Sequence, residues 1–389
     1  PAVFDSGVSH GDVMSAFNVL VQRQSSALKK ATTFIRHDLL RGGEQVGEEA
    51  CAAIAAWTAG VAAQEESREI ADSSRNNFDL DKGVNAEDDD DSVADSGLKA
   101  IRGAPPDVTA LVECLFDCLE ADGAKAGDAE VPSSSQRLRV FEAAALCCFQ
   151  LIKRPLIGRQ LTTDAWKKLG WTLLHAEEAV REKLAKELFV TLQTTSIHPR
   201  FLVYPLLLST DSAHHTFAEQ LLFFNISRLR RTHDLISQRA LVEENESLAA
   251  KAKANMPENL LPFVLYLLSY HPEFPTSTNV ESDADKRKLR KMATVIRTAV
   301  KVLVETLSGE ENNIAFLLKQ ANMIQGHYED KHDEENLGLH FVTRLTTKIL
   351  NERVRTDDNV QEYRGDVSLP MGLYKLRTDA VKPGLRGAL

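Results

Sequence analysis

Residues 261–269 read LPFVLYLLS, an apolar segment with a proline at its second position and a serine at its end. The segment YPLLLS at 204–209 has the same arrangement on a smaller scale. A proline near the first turn of a helix costs little, because the N–H groups there have no intrahelical partner. Both segments therefore predict short apolar helices that lead into a turn, and their similarity indicates an internal repeat.

Outward from these two segments, apolar residues recur at three- and four-residue steps, as they do in amphipathic helices. Short breaks that carry Pro, Gly, Asp, Ser or Asn separate the predicted helices, and no alternating strand of useful length is predicted. The helices are predicted at 137–153, 163–175, 177–194, 200–208, 213–231, 234–254, 258–269, 283–307, 314–325 and 335–351. Such a series favours stacked helical hairpins, and a two-helix unit of about 40 residues is typical of HEAT repeats.

The fold predicted from this pattern is all-α, a HEAT-type helical repeat solenoid with disordered acidic insertions. Residues 1–63 are predicted to form helical repeats, and residues 107–352 the main HEAT-type array. Residues 64–106 contain the run EDDDD and are predicted to be an acidic disordered loop. Residues 353–389 are predicted to be an extended or irregular tail. Because the chain begins with Pro1, we expect a fragment of a longer protein.

The composition restricts the class of partner. The chain has 389 residues and a formal net charge of -10. Binding to nucleic-acid phosphates requires an excess of Lys and Arg, so this balance disfavours a general nucleic-acid binder. Five cysteines in so long a chain indicate no disulfide framework, and a reducing compartment, cytosol or nucleus, is expected. No apolar run approaches the roughly 20 residues of a membrane span.

Two sets of side chains belong to types that bind metals, but their spacing is wrong for a metal site. The first set is Cys114, Cys118, Cys147 and Cys148. It lacks the short CxxC spacing of zinc sites, so packing in the core is favoured. The second set is His214, His215, His327, His332 and His340. The last three lie in a stretch that is interpreted as an exposed acidic turn. Since phosphate loops, nucleophile elbows and kinase signatures are also missing, neither catalytic residues nor a metal site is predicted.

Two groups of basic residues are the candidate binding residues. The first group ends the predicted helix 213–231, where cations also complement the helix dipole. It consists of Arg228, Arg230 and Arg231. The second group opens the predicted helix 283–307, where the dipole disfavours cations. It consists of Lys286, Arg287, Lys288, Arg290 and Lys291. Each group is either a solvated helix face or a site for phosphate or an acidic peptide.

Residues 255–274 read NMPENLLPFVLYLLSYHPEF and resemble a characteristic helix of the precocious-dissociation-of-sisters proteins, large HEAT-repeat partners of cohesin. Three further segments resemble the same family in the same order: FAEQLLFFNISRLRR at 217–231, ENNIAF at 311–316 and LPM at 369–371. The resemblance extends over about residues 171–374. It implies that the chain corresponds to the C-terminal portion of the helical body of a divergent member.

This resemblance implies a curved, non-catalytic HEAT array that binds cohesin through its kleisin subunit, together with cohesin release and protection factors. It further implies control of sister-chromatid cohesion and of cohesin release, in the nucleus and on chromosomes. Family members are also associated with a highly phosphorylated inositol, for which the basic residues are the candidate site; no other cofactor is expected. The alternative is another HEAT or armadillo-type adaptor, such as a transport or phosphatase scaffold. A third class is an enzyme with an unrecognised helical fold.

Overall fold

The computed structural model describes residues 100, 106–120, 134–193, 197–275, 283–307, 313–333, 336–356, 363 and 367–377. The helical repeats predicted for residues 1–63 lie outside this set, as does nearly all of the acidic loop predicted for residues 64–106. Within the described set, no helix has the length and apolar character needed to cross a membrane.

The described residues form α-helices, three short 3-10 helices and one two-stranded sheet. The α-helices are α1 (Pro106–Glu120), α2 (Ser134–Leu151), α3 (Pro155–Gln160), α4 (Thr163–Trp171), α5 (Glu178–Leu192), α6 (Tyr204–Leu208), α7 (His215–Val242), α8 (Glu246–Ala254), α9 (Leu260–Ser269), α10 (Asp283–Leu307), α11 (Asn313–His327) and α12 (Leu337–Thr356). The 3-10 helices are Thr172–Leu174, Pro199–Val203 and Pro257–Asn259. The strands β1 (Tyr328–Asp330) and β2 (Tyr374–Leu376) pair in antiparallel orientation. The predicted all-α, HEAT-type helical-repeat fold is confirmed.

The chain divides between His198 and Pro199 into two compact units. In the first unit, α1 packs on α2 and α4, and α2 packs on α5. Trp166 of α4 and Phe149 of α2 are fully buried in its core, which also contains Cys118, Cys147 and Cys148. The N-terminus of α4 is capped by Thr162, whose hydroxyl accepts a hydrogen bond from the N–H of Ala165 at 3.3 Å.

In the second unit, the two proline-containing segments form short buried helices. Pro205 lies in the first turn of α6 and Pro262 in the first turn of α9, where a missing N–H is tolerated. The hydroxyls of Ser209 and Ser269 each donate to the carbonyl three residues earlier, at 2.7 Å in both cases. The repeat seen in the sequence is therefore also a repeat of local structure, because the same bond closes both helices.

The central helix of the second unit is α9, of whose ten residues all but Phe263 are buried. It packs against α11, α12 and the 3-10 helix Pro199–Val203. Tyr374 of β2 is also buried against it, with the ring edge-on to that of Tyr266 at 5.8 Å. The Tyr374 hydroxyl donates to the carbonyl of Pro262 at 2.6 Å. This bond attaches the sheet to the first turn of α9.

Asp330, the last residue of β1, is buried and accepts four hydrogen bonds. The Tyr266 hydroxyl (3.1 Å) and the His332 backbone N–H (2.9 Å) donate to Oδ1. The Tyr270 hydroxyl and the Asn336 amide donate to Oδ2, each at 2.7 Å. Burial, together with the Asp330 carboxyl group, raises the pKa of both tyrosines well above the usual value, so both hydroxyls remain protonated donors. This Asp330 network joins α9, the sheet and the residue that precedes α12.

The start of α12 fits closely against the end of α9. The Asn336 side-chain oxygen accepts from the N–H of Leu339 at 2.9 Å and thereby caps the helix. A Cβ atom on Gly338 would lie 2.3 Å from the carbonyl oxygen of Ser269, so only glycine fits at this contact.

In the stretch that was interpreted as an exposed acidic turn, His332 and Asp333 are exposed as expected, whereas Asp330 is buried. Asp330 is only 1% exposed, because four donors from three segments replace its hydration. In the part predicted as an extended or irregular tail (353–389), α12 continues to Thr356 and β2 forms from residues 374–376. The strand was not predicted because its pairing partner, β1, is remote in sequence.

We predict that Asp330→Asn lowers the free energy of unfolding of the second unit by about 2–3 kcal/mol. Each carboxylate oxygen accepts from one group that can only donate. Oδ1 accepts from the His332 backbone N–H, and Oδ2 accepts from the Asn336 side-chain NH₂. An asparagine NH₂ therefore meets a donor in either orientation. Urea denaturation followed by circular dichroism measures the change.

Asp234→Asn is the matched control, because the Asp234 side chain is 65% exposed on α7. It should change stability by less than about 0.5 kcal/mol. If the two variants have the same unfolding midpoint, the Asp330 network does not stabilise the unit.

Candidate binding surface on α7 and α10

The helix α7 is one continuous helix of 28 residues, whereas the sequence predicted two helices with a break after residue 231. Thr232 and His233, at the predicted break, are polar but do not interrupt the helix. The Thr232 hydroxyl donates to the carbonyl of Arg228 one turn earlier at 3.0 Å, which a helix accommodates. The first basic group (Arg228, Arg230 and Arg231) therefore lies in the middle of α7, and the proposed interaction with the C-terminal dipole of that helix is wrong.

The three arginines of the first group have different environments. Arg230 reaches α10, where its guanidinium donates to the carbonyl of Leu307, the last residue of that helix. This contact satisfies a terminal carbonyl and places a cation at the negative end of the α10 dipole. Arg228 is half-buried, and burial lowers the pKa of its guanidinium. Only Arg231 is exposed.

The second basic group lies at the start of α10, as predicted. Lys286, Arg287, Lys288, Arg290 and Lys291 are all exposed. Lys286 lies 3.7 Å from Asp283, and Lys291 forms a 2.5 Å ion pair with Glu273. Acidic residues in the first turn, including Asp283 and Asp285, offset the unfavourable position of these cations at the helix N-terminus.

The structure does not bring the two basic groups together. Arg230 contacts α10 at Leu307, which is 16 residues from Lys291 on the same helix. At a rise of 1.5 Å per residue, this separation is about 24 Å. A single small anion does not span that distance, so each group must be considered as a separate site.

Two further cations on α10, Arg297 and Lys301, were not among the predicted binding residues. Both are exposed, and they lie seven and eleven residues after Arg290, which places all three on one face of the helix. This spacing is visible in the sequence, and it extends the basic surface well beyond the group at the start of the helix.

A shallow groove of about 350 Å³ lies between α7 and α10. Its lining residues are Glu219, Gln220, Phe223, Val302, Glu305 and Thr306, and we call it the α7–α10 groove. The Phe223 side chain is 62% exposed although it is large and apolar. Glu305 contacts Arg353 of α12 at 2.9 Å and Lys301 at 3.8 Å. The groove thus has an apolar floor between two carboxylates.

The histidines that were considered as metal ligands have other contacts in the structure. His332 lies 3.1 Å from the carbonyl of Gly372, and His340 lies 3.2 Å from the guanidinium of Arg377. Burial and the nearby Arg377 lower the pKa of His340. A guanidinium at this distance opposes the binding of a metal cation. His214 and His215 pair with Asp211 at 3.0 Å and Glu219 at 3.1 Å.

The fold defines a helical-repeat protein, and its described surface includes the α7–α10 groove and the exposed cations of α10. The chain belongs to the Sister chromatid cohesion protein PDS5 family, whose model matches residues 92–375. A comparison with curated proteins found no match. The family match confirms the resemblance seen in residues 171–374, and it begins well before them, where the sequence analysis had identified no similarity.

Family membership gives the chain a role in sister-chromatid cohesion. The family consists of non-catalytic, cohesin-associated scaffold proteins, which are chromosome-associated cohesion factors. The segment NMPENLLPFVLYLLSYHPEF forms the 3-10 helix Pro257–Asn259, α9 and the following turn. In that turn, the ring of His271 is buried and its Nδ1 accepts from the N–H of Glu273 at 3.2 Å. This family-like segment therefore forms part of the core of the second unit, and the candidate binding surface lies elsewhere, on α7 and α10.

We predict that Arg230→Gln and Arg231→Gln have different effects although the two arginines are adjacent. Arg230→Gln removes the charged donor at the end of α10 and should lower the free energy of unfolding by about 1–2 kcal/mol. Arg231→Gln affects an exposed side chain and should change it by less than about 0.5 kcal/mol. Urea denaturation of both variants tests this, and equal effects would contradict the assigned role of Arg230.

Proposed function

We propose that this chain is a non-catalytic scaffold that binds cohesin through the kleisin subunit and its regulators. In this proposal it controls sister-chromatid cohesion and the release of cohesin from chromatin, in the nucleus. The observation that carries the proposal is the family match over residues 92–375. Helical repeats suit this role, because stacked helices present long rigid surfaces to extended or helical segments of a partner.

The described surface supports binding better than catalysis. The largest upward pKa shifts belong to Tyr266, Tyr270 and Tyr374, whose hydroxyls bond within the packed interior of the second unit. The α7–α10 groove is open, and its carboxylate Glu305 contacts the cations Lys301 and Arg353. A catalytic acid or base is instead expected in an enclosed pocket with its pKa tuned toward the working pH.

We predict that the tagged chain retains purified cohesin kleisin subunit on beads, whereas the tag by itself does not. Release and protection factors of cohesin, added separately, should also be enriched or should compete with the kleisin. The alternative adaptor function predicts the opposite selectivity, with retention of a transport receptor or a phosphatase catalytic subunit. Failure to enrich any cohesin subunit or regulator would contradict the proposed function.

An inositol polyphosphate is the small ligand that we propose for the second basic group. Lys286, Arg287, Lys288 and Arg290 are exposed cations within about two turns of α10. Ammonium and guanidinium groups bind phosphate through charge-assisted hydrogen bonds. Arg228 and Arg230 of the first group are less suitable, because they are partly buried and Arg230 bonds to Leu307.

We predict that the double variant Lys288→Glu and Arg290→Glu weakens binding of inositol hexakisphosphate at least tenfold in isothermal titration calorimetry. Each reversal replaces an attraction for phosphate by a repulsion. The control double variant Lys251→Glu and Lys348→Glu changes the net charge equally at exposed positions on other helices, and it should bind as the parent does. Unchanged affinity in the first variant would remove this assignment.

A further inference from the structure

One exposed face of α10 carries a row of cations, which we call the basic stripe. Its members are Lys286, Arg287, Arg290, Lys291, Arg297 and Lys301. Residues three, four and seven positions apart lie on the same face of a helix, so the stripe runs for about 22 Å along the helix. The basic stripe is a local concentration of positive charge in a chain whose formal net charge is -10.

The centre of the basic stripe is not neutralised by the described part of the chain. Lys286, Lys291 and Lys301 each contact an acidic residue. Among the described residues, no ion pair or hydrogen bond engages the guanidinium groups of Arg287, Arg290 and Arg297, all of which are exposed. An arginine presents five donors in a rigid plane that matches a carboxylate, so these three side chains form a row of open carboxylate-binding positions.

The basic stripe ends where the α7–α10 groove begins. Lys301 is followed one position later by Val302, which lines the groove together with Phe223 of α7. Glu219 and Glu305 border the same groove. Along α10 the surface therefore changes from cationic to apolar, and the apolar part has an acidic border. A ligand that covers both parts must carry negative charge at one end and an apolar group at the other.

We infer that the basic stripe and the α7–α10 groove together bind one acidic segment of a partner protein, with its carboxylates on the stripe and a large apolar side chain in the groove. This inference rests on the proposed function in so far as the partner is a protein. Nucleic acid fits less well, because its uniform row of phosphates would meet Glu219 and Glu305 at one end and Glu273, Asp283 and Asp285 at the other. A compact anion would use only part of the stripe and none of the groove.

The geometry sets the spacing within the bound segment. Residue 294, midway between Arg290 and Arg297, is ten residues from residue 304 beside the groove, and this is about 15 Å along the helix. An extended chain advances about 3.3 Å per residue. The acidic residues of an extended segment should therefore precede or follow the apolar anchor by roughly four or five residues.

The test uses the whole chain and two fluorescein-labelled synthetic peptides, measured by fluorescence anisotropy. The first peptide carries four consecutive glutamates, a spacer of one glycine and one serine, and one phenylalanine, so that the centre of the glutamates lies four to five residues from the phenylalanine; the second is identical except that alanine replaces the phenylalanine. We expect the first peptide to bind at least fivefold more tightly than the second. We also expect its affinity to fall as the salt concentration rises, since exposed charges are screened.

Two chain variants locate the binding. The triple variant Arg287→Glu, Arg290→Glu and Arg297→Glu should weaken binding of the first peptide at least tenfold. The control triple variant Lys186→Glu, Lys251→Glu and Lys348→Glu changes net charge by the same amount at exposed positions on other helices, and should weaken it less than twofold. Phe223→Ser should remove the advantage of the phenylalanine peptide, while the affinity for the alanine peptide stays the same.

Three outcomes would overturn the inference: equal effects of the two triple variants, equal affinities for the two peptides, or tighter binding of a duplex DNA oligonucleotide than of the first peptide at the same salt concentration. Circular dichroism of each variant verifies that its helices are retained, which the exposure of all substituted side chains favours. The kleisin pull-down is independent of these peptides. Retention of kleisin without peptide binding would reject the inference and leave the proposed function standing.

Discussion

The second unit depends on the burial of one carboxylate, that of Asp330. A buried charge is unfavourable unless its hydration is replaced, and here four uncharged donors replace it. These donors come from α9 and the residue that follows it, from the turn after β1 and from the residue before α12. Because α10 packs on α12, and α7 packs on α10, the network also supports the helices that carry the candidate binding surface. The core and the surface of this unit are thus connected by the Asp330 network together with the packing of α12 on α10 and of α10 on α7.

The spacing of apolar residues and the breaks between apolar segments predicted most of the helices correctly. The bounds of α10 were predicted to the residue, because its apolar positions follow one face through seven turns. The Asp330 network was not predictable in the same way. Its donors Tyr266, Tyr270 and Asn336 are distributed over 71 positions of sequence, and an aspartate within the stretch EDKHDEE is normally solvated. Only the packing of distant elements around it makes its burial favourable, and no local pattern contains that information.

In the candidate binding surface, too, the features of a single helix were predictable from the sequence, whereas the contacts between distant helices were not. The cations of α10 were visible in the sequence, and the extension to Arg297 and Lys301 follows from helical spacing. The role of Arg230 was not visible, because its acceptor on Leu307 is 77 residues away. The α7–α10 groove also requires two helices that are separated by α8 and α9 in the chain. Charge patterns on one helix are therefore predictable, whereas surfaces between helices require the tertiary structure.

The charge distribution of the chain explains how an acidic scaffold can select acidic partners. A net charge of -10 repels anions at long range, so a long polyanion is disfavoured over most of the surface. At physiological ionic strength this repulsion decays over about 8 Å, whereas an arginine in direct contact with a carboxylate still binds it. A short acidic segment can therefore approach the basic stripe without extending onto repulsive surface. The adjacent groove adds a contact that salt does not screen, and it distinguishes a segment with an apolar anchor from one that is merely acidic.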